Sequence, residues 1–145
     1  MKNLLLLLAL PLITSINGCN KTETTTETTN QTETPATQKA KAQHVKSKQA
    51  KELLNTDQEV VILDVRTPEE FSGGHLQKAI NLDYNAPGFT ESLDKLDPTK
   101  KYLVYCAAGG RSAKAVALME EKGFAQVYNC QEGFEDLKKE GVKTE

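Results

Sequence analysis

The segment from Lys101 to Met119 constrains the fold more than any other part of the chain. An apolar run, Lys101-Tyr102-Leu103-Val104-Tyr105, leads through Cys106-Ala107-Ala108-Gly109-Gly110-Arg111 into the helix-forming stretch Ser112-Ala113-Lys114-Ala115-Val116-Ala117-Leu118-Met119. Strand, tight turn and helix in that order make a βα unit, the building block of a parallel sheet. A cysteine, four small residues and an arginine at such a turn let backbone N–H groups close into a ring around the sulfur, backed by a helix N-terminus. That field favours thiolate over thiol, and the thiolate is the nucleophile. Cys106 is therefore the expected catalytic residue, with Ala107, Ala108, Gly109, Gly110 and Arg111 as the substrate-holding ring. Gly109 and Gly110 permit the positive φ values a tight ring needs. Arg111 supplies a fixed charge for the loop or for an anionic donor.

The same alternation runs through the rest of the chain. Val60-Val61-Ile62-Leu63 is a continuous aliphatic run, the mark of a strand covered on both faces. Further strands are expected at residues 79–82, 102–105 and 125–129. Helices are expected at residues 47–54, from Pro68, from a Thr90 cap through Leu96, at residues 111–122 before Gly123, and at residues 134–140. This is an α/β pattern with helices on both faces of a parallel sheet. Functional sites in such sheets lie beyond the carboxyl ends of the strands, where Cys106 falls.

The formal charge of −2 over 145 residues leaves no basic footprint for nucleic acid. At the N-terminus, Lys2 precedes an apolar run over residues 4–13 that is too short to span a bilayer and suits a signal sequence. It ends at Ile16-Asn17-Gly18-Cys19, which resembles a bacterial lipoprotein box whose cysteine is lipidated. Residues 1–18 then form a signal peptide and residues 19–44 a Thr/Glu-rich disordered tether, too poor in apolar residues to fold. The folded domain covers residues 45–141. The expectation is an exported protein, held by a lipid on Cys19 at the periplasmic face of the bacterial envelope. Asn20 is no aspartate-type retention signal and leans the assignment toward the outer membrane.

Leu63-Asp64-Val65-Arg66-Thr67-Pro68-Glu69-Glu70-Phe71, followed by Gly74-His75-Leu76 and Ala79-Ile80-Asn81, resembles the front half of a rhodanese domain. The Cys106–Arg111 loop stands where that family carries its catalytic cysteine. The resemblance implies a rhodanese-like α/β fold with a central parallel sheet of about five strands. It also implies sulfur transfer: Cys106 takes a sulfane sulfur from a donor such as thiosulfate and passes it from the persulfide to cyanide, a thiol or a thiol protein. No metal or cofactor is expected, and a monomer is. The competing classes are a non-catalytic binding module, a thiol-redox protein and a cysteine-loop phosphatase. The phosphatases place five residues between cysteine and arginine, against four here.

Asp64 and Arg66 read as supporting residues. Arg66 either forms a charge pair near the site or pins the strand-to-helix corner through Glu70 or another neighbour. His75 reads as a turn-stabilising residue and His44 as solvated. Cys130 is either a buried apolar residue or a resolving thiol for Cys106. Two departures from the family pattern bear on the donor. Ala107 and Ala108 leave the loop without a second cation, and Glu132 replaces a glycine while Leu137 replaces a tryptophan. Both departures predict poor thiosulfate affinity.

Overall fold

The computed structural model describes residues 41–145. The signal peptide, Cys19 and all but the last residues of the tether lie outside that range. Five strands form one parallel sheet: β1 (Gln43–Val45), β2 (Val61–Asp64), β3 (Ile80–Asn81), β4 (Lys101–Tyr105) and β5 (Gln126–Cys130), in the spatial order β1-β5-β4-β2-β3. The helices are α1 (Ser47–Thr56), α2 (Pro68–Ser72), α3 (Phe89–Leu93), α4 (Gly110–Glu121) and α5 (Phe134–Lys139). The fold is the rhodanese-like α/β fold that the resemblance implied.

Side-chain parity along the central strands sorts the core into two layers. Leu63, Val65, Tyr102, Val104, Cys106 and Val127 face one side of the sheet, against Phe89 and Leu93 of α3 and Ala115, Val116 and Met119 of α4. Ile62, Leu103, Tyr105, Tyr128 and Cys130 face the other, against Ala50, Leu53 and Leu54 of α1 and Phe134 and Leu137 of α5. Each fully buried aliphatic side chain contributes roughly 1.5–3 kcal/mol. Both strands that carry site residues are therefore clamped from two sides, and their carboxyl ends hold the following loops rigidly.

β1 was not legible in the sequence. Gln43 and His44 fall at the end of the residues assigned to the tether and Val45 at the start of the domain, and the Gln-His-Val sequence has no apolar pattern because the strand is a half-solvated sheet edge. Ala42 is already buried beside it, and its N–H is tied to the Glu120 carboxylate. His44 is exposed, yet its Nδ1 accepts from Asn129 Nδ2 at 3.0 Å, so it is not merely solvated. The folded region also runs past residue 141. The last residues turn back so that His75 and Glu145 exchange backbone hydrogen bonds and Gln77 N–H meets the Lys143 carbonyl.

Two helix starts differ from expectation. α3 begins at Phe89 after Gly88, whose φ of 83° makes the left-handed turn, and Thr90 lies inside the helix instead of capping it. The reason is Phe89, which must enter the core on the first helical turn. α4 begins one residue early, at Gly110, so only Gly109 of the glycine pair takes a positive φ.

Candidate active site

β4 ends at Tyr105, and the next residue, Cys106, is buried on the α4 side of the sheet. The chain then turns through Gly109 at φ 80° and enters α4. A Cβ on Gly109 would stand 2.0 Å from the Gln131 carbonyl oxygen, so no other residue fits. Across the contact, a Cβ on Gly133 would stand 2.1 Å from the Ala107 oxygen, and Phe134 N–H donates to the Cys106 carbonyl at 2.9 Å. The loops after β4 and β5 thus lock backbone to backbone. Of the glycine pair that the family pattern puts at 132–133, only the second is sterically required. This is why Glu132 is tolerated.

The Cys106 thiol is held below its ordinary range. Burial alone pushes it up, but the N–H and hydroxyl of Ser112 and the N–H groups of Ala108 and Arg111 together outweigh burial. Of the N–H ring expected from residues 107–111, the groups of Ala108 and Arg111 hold the thiol down, and Ser112, beyond that span, joins them. Gly110 contributes no special conformation, and a Cβ there would meet nothing within 4 Å, so the position does not require glycine.

Ser112 was not anticipated. It is fully buried, and its hydroxyl lies 3.6 Å from Cys106 Sγ, 3.1 Å from the Gly109 oxygen and 3.5 Å from the Cys130 oxygen. One hydroxyl proton serves three acceptors, so Ser112 can turn it to the sulfur when negative charge develops there. The available signal was a serine in the first turn of a helix that starts at the nucleophile's loop.

Arg111 is shared between Glu70 and the cysteine, its side chain also acting on Cys106 by charge and hydrogen bonding. Its Nη1 donates to Glu70 Oε2 at 2.6 Å and its Nη2 to Oε1 at 2.8 Å, a two-pronged pair. Glu70 is held by the same helix start that the sequence predicted. Thr67 N–H donates to Glu70 Oε2, Glu70 N–H donates to Thr67 Oγ1, and Pro68 opens α2. The Arg111 guanidinium, against a smaller cost of burial, draws the Glu70 carboxyl down to about 2. In the sequence Glu70 reads as an acid of the first helical turn and a possible partner of Arg66, because its actual partner lies 41 positions away.

Arg66 pairs with Asp64, not with Glu70. The carboxylate receives Arg66 Nε at 2.9 and 3.0 Å and Nη2 at 2.6 Å, and both side chains are almost wholly buried. Nη2 also donates to the Gly74 carbonyl, and the guanidinium lies 4.1 Å above the Phe134 ring. Asn81 ties the corner further by donating to the Asp64 and Arg66 carbonyls. All of this sits among the Tyr105 and Phe134 side chains, on the face away from Cys106, so the pair supports the corner and not the sulfur. His75 acts as a turn residue as expected, with Nδ1 at 3.0 Å from the Phe71 carbonyl and its ring stacked on Phe71.

Cys130 also belongs to that other face. Its Sγ lies 3.8 Å from Ser47 Oγ among Tyr105, Phe134 and Leu137, and both described cysteines are free thiols. Strand alternation puts Cys106 and Cys130 on opposite sides of the sheet. The structure does not bring them together. Glu132, in turn, places Oε2 2.8 Å from Ser47 N–H, at the start of the ten-residue α1. Its charge is committed to that helix N-terminus.

A thiol held by N–H groups at the carboxyl end of a central parallel strand defines a cysteine-loop α/β protein. Residues 46–140 match the family model of the Rhodanese-like domain. The chain belongs to the rhodanese-like family. It is 38% identical over 92 residues to the chloroplastic thiosulfate sulfurtransferase 16 of Arabidopsis thaliana, covering 57% of this chain and 77% of that protein. It is 35% identical over 94 residues to a tRNA uridine(34) hydroxylase of Pelagibacter ubique, covering 64% of this chain and only 31% of that longer protein. Among solved structures, a rhodanese-related protein from Thermoplasma volcanium matches with a TM-score of 0.62 at 28% identity, over 71% of this chain and 97% of that one. A rhodanese-like domain protein from Staphylococcus aureus matches with a TM-score of 0.61 at 28% identity, over 70% and 96%.

Proposed function

We propose that the chain is a sulfurtransferase working through a Cys106 persulfide. The carrying observation is the Cys106 thiol itself, lowered by N–H groups that point to one place at the α4 N-terminus. The thiolate attacks the outer sulfur of a sulfane donor. A bond forms from Cys106 Sγ to that sulfur, and the donor's sulfur–sulfur bond breaks. Sulfite or a thiolate leaves with the electron pair. An acceptor nucleophile then takes the outer sulfur and returns Cys106 to the thiolate. No redox partner enters the cycle. The N–H groups of Ala108, Arg111 and Ser112 stabilise negative charge on the transferred sulfur in both steps. The relatives named as thiosulfate sulfurtransferases support this reading. The Cys19 box leads us to place the activity outside the cytoplasm on a lipid-anchored chain, serving small sulfur compounds or a thiol protein.

The test is intact-mass analysis of the full chain after exposure to thiosulfate or to an alkyl persulfide. The expected result is a single added sulfur that is reversed by cyanide with release of thiocyanate. Cys106→Ser is expected to abolish the adduct and lower turnover by at least about a thousandfold. An adduct that persists in Cys106→Ser overturns the assignment. A wild type that takes no sulfur from either donor favours a binding module without turnover.

A further inference from the structure

We infer that Glu132 is a positioning residue for Cys106: its carboxylate pins the turn after β5 to the start of α1, and that turn holds the N–H groups of the cysteine loop in place. This rests on the sulfur-transfer reading above for what the Cys106 thiolate does.

Three backbone contacts join the two loops. Gly109 stands against the Gln131 carbonyl, where a Cβ would collide, and Gly133 stands against the Ala107 carbonyl in the same way. Phe134 N–H donates to the Cys106 carbonyl at 2.9 Å. The contacts therefore fall at residues 106, 107 and 109. The N–H groups that hold the thiol down come from Ala108, between them, and from Arg111 and Ser112 on the first turn of α4. A shift of residues 131–133 carries over to the direction of those groups. The contact is backbone on backbone, with no side-chain slack to absorb the movement.

The turn after β5 is held at three points. Gln131 N–H donates to the Val45 carbonyl at 3.0 Å, and the Gly133 carbonyl accepts from Leu137 N–H at 3.1 Å. Between them stands Glu132, whose Oε2 accepts from Ser47 N–H at 2.8 Å, the first N–H of α1. α1 lacks an acceptor of its own there: Lys46 at the N-cap has no side-chain oxygen, and the first turn holds no acid. The ten-residue α1 is itself fixed to the sheet by Ala50, Leu53 and Leu54, so the carboxylate ties the turn to a rigid element. A chain of contacts thus runs from Ser47 through Glu132, Gln131 and Gly133 to the loop of Cys106. The charged side chain acting on Cys106 is that of Arg111, shared with Glu70 on α2, and no contact in this chain involves it.

The experiment follows alkylation by iodoacetamide against pH, read at Cys106 by peptide mass spectrometry, in the wild type, Glu132→Ala, Ser47→Pro and Gln49→Ala. Ser47→Pro removes the donor and keeps the helix start. Proline suits the first helical position, and Lys46 before it already has the extended backbone, at ψ 163°, that proline demands. Gln49→Ala removes the acceptor of Lys46 N–H and loosens the same helix start without touching residues 131–133. With its N–H groups less well aimed, the Cys106 thiol is pushed up by burial. Alkylation at neutral pH is therefore expected to slow about fivefold in Glu132→Ala and Ser47→Pro, and to converge with the wild type at high pH, where every thiol is ionised. Gln49→Ala is expected to lower the denaturation midpoint and keep its alkylation profile within about twofold of the wild type. An unshifted profile in either folded Glu132→Ala or folded Ser47→Pro overturns the inference. So does a Gln49→Ala profile shifted as far as that of Glu132→Ala, which would make helix loosening the cause. Sulfur uptake from an alkyl persulfide is measured on the same proteins. A wild type that takes up no sulfur removes the sulfur-transfer reading, while the alkylation profiles still decide the role of Glu132.

Discussion

The two faces of the sheet carry similar residues at similar places and use them for opposite ends. On the α4 face, β4 delivers Cys106 into a ring of N–H groups with a half-exposed Arg111–Glu70 pair beside it. On the α5 face, β5 ends in Cys130 and β2 in Asp64, whose pair with Arg66 is sealed under Phe134. Each face thus has a cysteine and an arginine–carboxylate pair. The face we propose as reactive is the one where the α4 N-terminus and a solvent-accessible loop coincide, because unsatisfied N–H groups are what stabilise sulfur anions. The other face has an apolar lid and satisfied polar groups. Its charges hold the corner from which α2, and hence Glu70, is positioned.

The sharpest way to break this division is Arg66→Met. Removing one member of the buried pair leaves Asp64 unpaired and is expected to cost about 3–5 kcal/mol, read by denaturant unfolding. Persulfide formation per folded molecule should change little. A loss of chemistry in protein that is still folded would make the corner part of the reactive face.

Next in size is Ser112→Ala. A hydrogen bond to a charged acceptor is worth about 1.5–3 kcal/mol, so sulfur uptake at neutral pH should slow by roughly tenfold or more. The pH profile of Cys106 alkylation should shift upward, since the hydroxyl is among the groups holding the thiol down. An unshifted profile would leave the backbone N–H groups as the whole cause.

The smallest expected effect is that of Cys130→Ala. Loss of one buried sulfur should cost about 1 kcal/mol of stability and leave turnover unchanged. Mild peroxide should form no 106–130 disulfide in the wild type, because the two thiols face opposite sides of the sheet. A linked species on peptide mass spectrometry would refute that separation.

Much of this was legible in the chain as written. The βα alternation, the rhodanese-like class, the place of Cys106 at a strand's carboxyl end and the start of α2 at Thr67-Pro68 all rest on local signals: aliphatic runs, capping residues and a loop of small residues. The separation of the two thiols was not legible: alternation puts Cys106 with Val104 and Cys130 with Tyr128, but only the β4–β5 register, with Val104 beside Asn129, puts those two sets on opposite faces. What escaped were features without a local pattern. The edge strand Gln43–Val45 has no apolar face to announce it. Ser112 looks like any serine in a first helical turn.

The partners of charged groups lay furthest beyond the sequence. Arg66 has Glu70 four positions on and Asp64 two positions back, and only the bend after β2 makes Asp64 the partner. Arg111 meets Glu70 across 41 positions, and Glu132 meets Ser47 across 85. The sequence by itself thus singled out Cys106 as the proposed nucleophile and determined on what kind of sheet it sits, because hydrophobic periodicity and turn chemistry act over a few residues. Only the tertiary structure decided which charges remain free beside that residue. Ion pairing depends on distances between elements far apart in the chain, and these are set by how the helices pack on the two faces.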